Sequence, residues 1–309
     1  MKVISTIENY HATQPCSLTI GTFDGVHIGH RKIIQRLVKN AKEKDHLSVV
    51  LTFFPHPRMV LQKDTSIRLI DTLKEKQQLL ADLDVDVLVI HPFSKEFSRQ
   101  TADEFIRNVL VQSFNIEHII IGYDHRFGRN REATVDDLIN AGSTYGFSIE
   151  KIKAQEIASV NVSSTKIRTA LEEGKMKVAT NFLSRPFRLC GKVTTGQKIG
   201  RTIGFPTANL QIEEDYKLLP CDGVFFIKTQ YNDNSFYGMM NVGFRPTLEG
   251  EKRSFEVHLF DFNQDLYGEV LAVDFLELIR KEKKFASLKD LKVQLQEDQA
   301  KCRQLIPAK

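Results

Sequence analysis

Apolar positions recur along the chain in two rhythms, and the change between them falls near residue 185. Before it, short runs rich in Val and Ile ("SLTIG", "LSVVLTFF", "VDVLVI", "EHIIIG") alternate with longer helical patterns such as "HRKIIQRLVKNAKEK" and "TADEFIRNVLVQSF". Apolar runs separated by amphipathic helices predict crossover units, and so an α/β domain on a Rossmann-like parallel sheet. Thr101 with Glu104 forms a capping box ahead of Phe105 and fixes one helix start. After Pro186 the rhythm shortens to strands divided by Gly, Asn and Asp turns: "RLCGKVTTG", "GVFFIKTQ", "FYGMMNVG", "SFEVHLFDF" and "EVLAVDFLELI". That spacing predicts a small antiparallel β-barrel. A terminal amphipathic helix opens at Ser287, with Asp290 three residues on, and its Leu288, Leu291, Leu295 stripe is expected to pack on the barrel.

Length and composition sharpen this outline. A chain of 309 residues exceeds what one core comfortably fills, and the rhythm change places the division at 1–183 and 184–309. The 43 Lys and Arg against 39 Asp and Glu are mixed along the chain, a balance too even for a dedicated nucleic-acid binder. The first residues lack the apolar core of a signal peptide, and no later stretch approaches the roughly 20 apolar residues of a membrane span. The expectation is a cytoplasmic protein without membrane or nucleic-acid partners; nothing in the sequence fixes an oligomeric state. Cys16, Cys190, Cys221 and Cys302 have no paired spacing, so neither a zinc ribbon nor a redox pair is indicated.

The chemistry begins in "IGTFDGVHIGHR", residues 20–31. His27 falls in a glycine-bracketed turn after a strand, and His30 begins a helix whose Ile33, Ile34, Leu37, Val38 and Ala41 face a core. Two imidazoles three apart at a helix N-terminus can approach one phosphate chain, helped by free N–H groups and the helix dipole. Gly25 and Gly29 let the backbone come close to the ligand. In an open parallel sheet this strand-to-helix turn is also where ligands bind. A metal pair is the competing reading, but no Glu or Cys stands at ligand spacing, and Asp24 would need a different geometry. A second segment, "NVSSTKIRTALEEG" at 161–174, puts Ser163, Ser164 and Thr165 at a helix start with Lys166 and Arg168 behind them, a set suited to an anion.

"GTFDGVHIGH" followed by "SSTKIR" resembles the HxGH nucleotidyltransferases. "TFFPHP" (52–57) and "GYDHRFG" (122–128) narrow the resemblance to the flavin adenylyltransferase domain of bacterial riboflavin biosynthesis proteins. In the second half "GRTIGFPTANL" (200–210), "NVGFRPT" (241–247) and "FEVHLFDF" (255–262) are similar to the riboflavin kinase signature. Together they imply the bifunctional riboflavin kinase and FAD synthetase family, which converts riboflavin to FMN and FMN to FAD with ATP and Mg²⁺. The rival readings are a class I aminoacyl-tRNA synthetase, which would need a "KMSKS" segment that is absent, a non-catalytic flavin sensor, and a chain with one active domain.

Carried onto this chain, the resemblance implies that His27, His30, Gly21, Phe23, Asp24, Gly25, Gly29, Ser163, Ser164, Thr165 and Arg168 handle ATP in the adenylyltransferase half. Asp124 and Arg126 match positions near its flavin. In the kinase half it implies Glu256 as general base, Thr207 and Asn209 as Mg-ATP ligands, and Asn241, Arg245 and Arg280 against the flavin. Read from the residues alone, Gly196, Gly200 and Gly204 with Lys198 and Arg201 form either a pliable basic loop over phosphates or only tight turns, and alternation leaves Glu256 facing either solvent or a site. Three positions depart from the family pattern: His125 replaces the usual aromatic, Ala133 a common glycine and Ser184 another glycine. Of these, His125 is the one expected to alter flavin packing.

Overall fold

The computed structural model describes residues 1–308 apart from 63–66, 123–125, 154–161, 196–198 and 248–249, with backbone alone at 199, 245–247 and 250–252. The chain divides into two compact units, Met1–Ser164 and Thr165–Lys309.

The first unit is built on six strands: β1 (Lys2–Ile4), β2 (Cys16–Ile20), β3 (Leu47–Phe53), β4 (Val87–His91), β5 (Ile116–Gly122) and β6 (Ser148–Ile152). They pair in the order β1-β4-β3-β2-β5-β6, every neighbour parallel. The four inner strands are the Val- and Ile-rich runs of the sequence. The edge strands β1 and β6 went unread because each is only half-apolar, as the alternating pattern of an edge allows. Both faces of the sheet are covered. Val50, Leu88 and Ile120 pack beneath Ile34, Leu37 and Leu80 of α1 (Ile28–Lys44) and of a helix over Leu73–Ala81. Leu18, Leu51, Val89 and Ile119 meet Leu110, Phe114 and Leu138 on the other side. Burying each such side chain contributes about 1.5–3 kcal/mol. The capping box at Thr101 forms as read: Thr101 Oγ1 accepts from the Glu104 N–H, and the Glu104 carboxylate accepts from the Thr101 N–H at 2.8 Å.

From β2 the chain moves outward to β3 and β4, then returns to place β5 on the opposite side of β2. Successive crossovers therefore diverge between β2 and β5, and a crevice opens beyond the C-terminal ends of those strands, where Ile20 and Gly122 leave the sheet.

In the second unit β7 (Phe187–Thr194), β8 (Ala208–Gln211), β9 (Gly223–Tyr231), β10 (Asn234–Thr247), β11 (Gly250–Leu259) and β12 (Val270–Arg280) close an antiparallel barrel in the order β10-β11-β8-β7-β12-β9. Five of these are the strands expected from the sequence. β8 was hidden inside "GFPTANL" because four residues show no alternation. Cross-strand pairs put Phe225, Met240 and Val257 on one face of their strands, with Phe255 and Val242 beside them, and all five are buried. The opposite face carries Val224, Phe226 and Met239, which share a second core with Leu295 and Cys302 of the terminal helix, Leu288–Gln304. The expected stripe is shifted by a turn: Leu288 is 58% exposed, and the inward line runs from Leu291 and Leu295 to Asp298 and Cys302.

Asp298 is fully buried and accepts both contacts of Arg280 Nε, at 2.9 and 3.1 Å, tying the end of β12 to the terminal helix. Removing one partner of a buried ion pair strands the other charge and costs about 3–5 kcal/mol. Asp298→Ala is therefore expected to lower the urea stability of the barrel unit by about that amount. A fall under about 1 kcal/mol in equilibrium unfolding would show that the pair contributes little.

Candidate active sites

Residues 21–27 fill the crevice above β2, in a conformation that most sequences avoid. Phe23, Gly25 and Val26 have φ of 45°, 86° and 35°. The left-handed region costs a non-glycine residue about 1–3 kcal/mol, and a β-branched one is especially disfavoured. Contacts from four directions hold the turn. Thr52 Oγ1 and Lys76 Nζ both donate to the Thr22 carbonyl, at 3.3 and 2.7 Å. The Asp24 carboxylate accepts from the Ile70 N–H at 2.9 Å, and Ser164 Oγ donates to the Asp24 carbonyl at 2.9 Å. The two anion-binding motifs of the sequence therefore meet through Ser164.

The turn delivers His27 as the N-cap of α1, its Nδ1 accepting the His30 N–H at 3.3 Å. A ring that accepts at Nδ1 and is neutral carries its proton on Nε2. The His27 and His30 rings stack with centroids 3.6 Å apart and planes 17° apart, and Phe23 sets its edge against His30 at 5.3 Å. Burial pushes His27 down to about 4, and burial, then His27 and Lys76, hold His30 well below its ordinary value. The pair is neutral near pH 7, so any anion bound here meets N–H donors and the helix terminus rather than two imidazolium charges. His30 Nδ1 is buried without a hydrogen-bond partner among the described residues. Gly29 is buried in the first turn, and a Cβ on Gly21 would press on the Phe23 ring.

Sequence reading missed Lys76 and Asp71, which are 3% and 2% exposed beside this turn. Burial lowers Lys76, while Asp24 and then Asp71 oppose the shift. The signal was a cation on an apolar helix face, because Lys76 stands four residues before the buried Leu80. Of the other expected residues, Ser163 is half-buried ahead of the helix start. Thr165 and Arg168 follow on the helix over Ser164–Glu172, past the boundary of the first unit. Arg126 is exposed; Asp124 and His125 lie outside the described residues.

The barrel presents a second site through its register. Across neighbouring strands Thr194 pairs with Asn209, Asn209 with Glu256, Glu256 with Asn241, Asn241 with Val224 and Val224 with Arg280. Residues in register share a face, so one row of the barrel carries two amides, a carboxylate and a guanidinium. A cavity of roughly 320 Å³ opens over this row; Asn209, Asn241, Glu256 and Arg280 line it, with Gly200, Thr207 and His258, and Phe285 and Leu291 on its apolar side. Thr207 Oγ1 lies 3.5 Å from Glu256 Oε2. Glu256 therefore faces the cavity, which settles the alternation that the sequence left open. Gly200 is required by space, since a Cβ there would run into the Phe205 carbonyl. Arg201 is exposed, while Gly196, Lys198 and the Arg245 side chain lie outside the described residues. His258 was missed because an isolated strand histidine has no signature.

Among the described residues no group of three His, Cys, Asp or Glu is arranged to hold a metal. The Thr207 hydroxyl and the Asn209 amide oxygen at the cavity instead form a hard, neutral oxygen donor pair. That pair fits Mg²⁺, which takes most of its ligands from phosphates and water.

A switch-point crevice with a paired-histidine helix start, and a closed barrel with a polar cavity, define a two-part enzyme of nucleotide and phosphoryl transfer. The comparisons specify which. The FAD synthetase family matches residues 9–166 and the riboflavin kinase family residues 183–306. The bifunctional riboflavin kinase/FMN adenylyltransferase of Haemophilus influenzae is 38% identical, over 96% of this chain and 97% of its own. That of Escherichia coli is 36% identical over 98% and 97%. A crystal structure described as a macrolide-efflux protein from Streptococcus pneumoniae superposes with a TM-score of 0.89 at 32% identity, covering 98% of this chain and 99% of that one. Among the described residues here, no helix is long and apolar enough to cross a membrane. The chain belongs to the bifunctional riboflavin kinase/FMN adenylyltransferase family.

The lowered value of His27 gives a signed pH dependence. Its pKa falls on folding from 6.5 to about 4, so the unfolded chain binds the extra proton between those values. The resulting stability is complete above about 6.5 and is lost as pH falls toward 4, at up to about 1.4 kcal/mol per pH unit. His27→Asn, which keeps a capping oxygen but cannot titrate, is expected to flatten this decline in thermal unfolding followed from pH 7 to 4. An unchanged slope would contradict a buried neutral His27.

Proposed function

We propose that the two activities of the family run at the two sites described above. The protein phosphorylates riboflavin to FMN and adenylylates FMN to FAD, each with ATP. The row of in-register residues around Glu256 supports this assignment most directly, because it puts a carboxylate beside a hydroxyl and an amide within one cavity.

In the kinase reaction the 5′-hydroxyl of riboflavin attacks the terminal phosphorus of ATP, the new O–P bond forms as the bond to ADP breaks, and the hydroxyl proton must leave. Glu256 is the carboxylate positioned to take that proton. Thr207 and Asn209 would hold Mg²⁺, whose contribution is to neutralise phosphate charge. Arg280, held at Asp298, and Asn241 supply fixed donors for the flavin.

In the adenylyltransferase reaction a phosphate oxygen of FMN attacks the α-phosphorus of ATP and pyrophosphate leaves. That nucleophile is already ionised, so the site needs positioning and charge stabilisation rather than a base. The first turn of α1 offers free N–H groups, and His27 offers its Nε2–H; His30 stacks against it, and Ser164 steadies the turn from beneath. An ATP-consuming reaction of this kind supports a cytoplasmic location for the protein.

Replacing the two sites separately should separate the two products. Glu256→Gln is expected to lower FMN formation by about 10²–10⁴-fold and to leave conversion of supplied FMN to FAD intact. The double change His27→Ala with His30→Ala is expected to do the converse. Chromatography of flavins after incubation with ATP and Mg²⁺ reads both; undiminished FMN formation by Glu256→Gln would remove Glu256 from the mechanism.

A further inference from the structure

We propose that His258 is a positioning residue for the kinase reaction: its Nδ1–H holds the Pro206 carbonyl and so sets where Thr207 stands against Glu256 and the ladder-held Asn209. The inference rests on the kinase reading of the barrel cavity.

β8 and β11 pair at only two positions, Asn209 with Glu256 and Ala208 with Val257. One step further, Thr207 would face His258, but the backbone ladder has ended. Pro206 has no N–H with which to extend it. Residues 205–207 thus carry half of the Mg²⁺ donor pair on a segment that sheet pairing no longer fixes.

The imidazole of His258 takes over where the ladder stops. Its Nδ1 lies 2.8 Å from the Pro206 carbonyl oxygen. A carbonyl only accepts, so the proton is on Nδ1. The ring is 8% exposed and is fixed edge-on between Phe205, at 5.3 Å, and Phe260, at 5.8 Å. Burial also disfavours its charged form. The ring therefore acts as a rigid neutral donor.

Thr207 depends on this support. Its hydroxyl reaches Glu256 at 3.5 Å, the outer limit of a hydrogen bond, so a small drift of residue 206 separates the two groups. From the other side the Phe205 N–H donates to the Gly200 carbonyl at 2.8 Å and the Phe205 ring is buried, so residue 205 is anchored and His258 holds residue 206, next to Thr207. Misplacement by about 1 Å can cost on the order of 10²-fold in rate.

Side-chain length provides the test. Asparagine puts its amide nitrogen near the place of Nδ1, whereas glutamine carries it out toward that of Nε2. His258→Asn is expected to keep kinase kinetics within about 3-fold of the parent. His258→Gln and His258→Phe are expected to raise the half-saturating Mg²⁺ and the KM for ATP at least 10-fold, with a smaller change in kcat. Equilibrium binding of Mg-ATP, titrated without riboflavin, should weaken by the same factor in those two variants and be retained in His258→Asn. Thermal unfolding reports whether each barrel is folded, and the Asn and Gln pair suffices should the Phe variant fail to fold. Unchanged Mg-ATP binding in His258→Gln, or equal losses in the Asn and Gln variants, would overturn the proposal. Glu256→Gln separates this result from the underlying reading: it should lose kcat but bind Mg-ATP normally, so a catalytically competent Glu256→Gln would refute the reading while the His258 binding series still stood.

Discussion

Parallel pairing of β2 with both β3 and β5 leaves the chain no way out of Ile20 except into the crevice between diverging crossovers. Residues 21–27 must reverse there within a few positions and still deliver a helix start, which explains their left-handed φ values. A strained turn persists only where its surroundings over-determine it. Here the buried carboxylate of Asp24, the ammonium of Lys76 and the hydroxyls of Thr52 and Ser164 supply that restraint. The turn is thus held by the protein's own contacts, so a ligand bound there need not order it.

The barrel meets the same requirement by different means. Its polar cavity-lining groups come from regular strands, and cross-strand register places Asn209, Glu256 and Asn241 side by side. Register in a closed barrel is fixed by the alternation of buried and outward residues, since a slip of one would carry Phe255 and Val257 out of the interior and turn Glu256 inward. The aromatic and aliphatic interior therefore specifies the active site as firmly as any polar contact does. Helix Leu288–Gln304 closes the cavity from above, and the buried Arg280–Asp298 pair sets its height.

Much of this was legible in the sequence, for identifiable reasons. Strands buried on both faces write themselves as Val- and Ile-rich runs, so the inner sheet was readable, whereas β1, β6 and β8 are too short or too mixed to stand out. His27, His30 and Glu256 belong to dense local motifs and could be named. Lys76, Asp71 and His258 could not, because their roles arise from partners distant in sequence: Lys76 reaches Thr22 across 54 residues and His258 reaches Pro206 across 52, while Asp71 acts on the buried Lys76 and His27. The outward position of Glu256 was likewise undecidable from alternation, since either face of a barrel strand can be buried once a helix covers the outside.

The electrostatic contrast between the sites follows from their nucleophiles. A sugar hydroxyl carries a proton that must go somewhere as it attacks phosphorus, and Glu256, proposed above to take it, stands half-exposed in a polar row. A phosphate monoester arrives with its charge already formed and meets a triphosphate of the same sign, so a general base would add nothing. What that reaction needs is a dry surface of aligned N–H groups, where the field of a helix terminus is least screened. Burial that keeps His27 and His30 neutral is consistent with this need: the Nε2–H of His27 stands as a donor beside the N-terminus of α1 and the buried Lys76. The two candidate sites thus differ in burial as their proposed nucleophiles differ in charge: His27 is enclosed in the α/β unit, and Glu256 is half-exposed on the barrel.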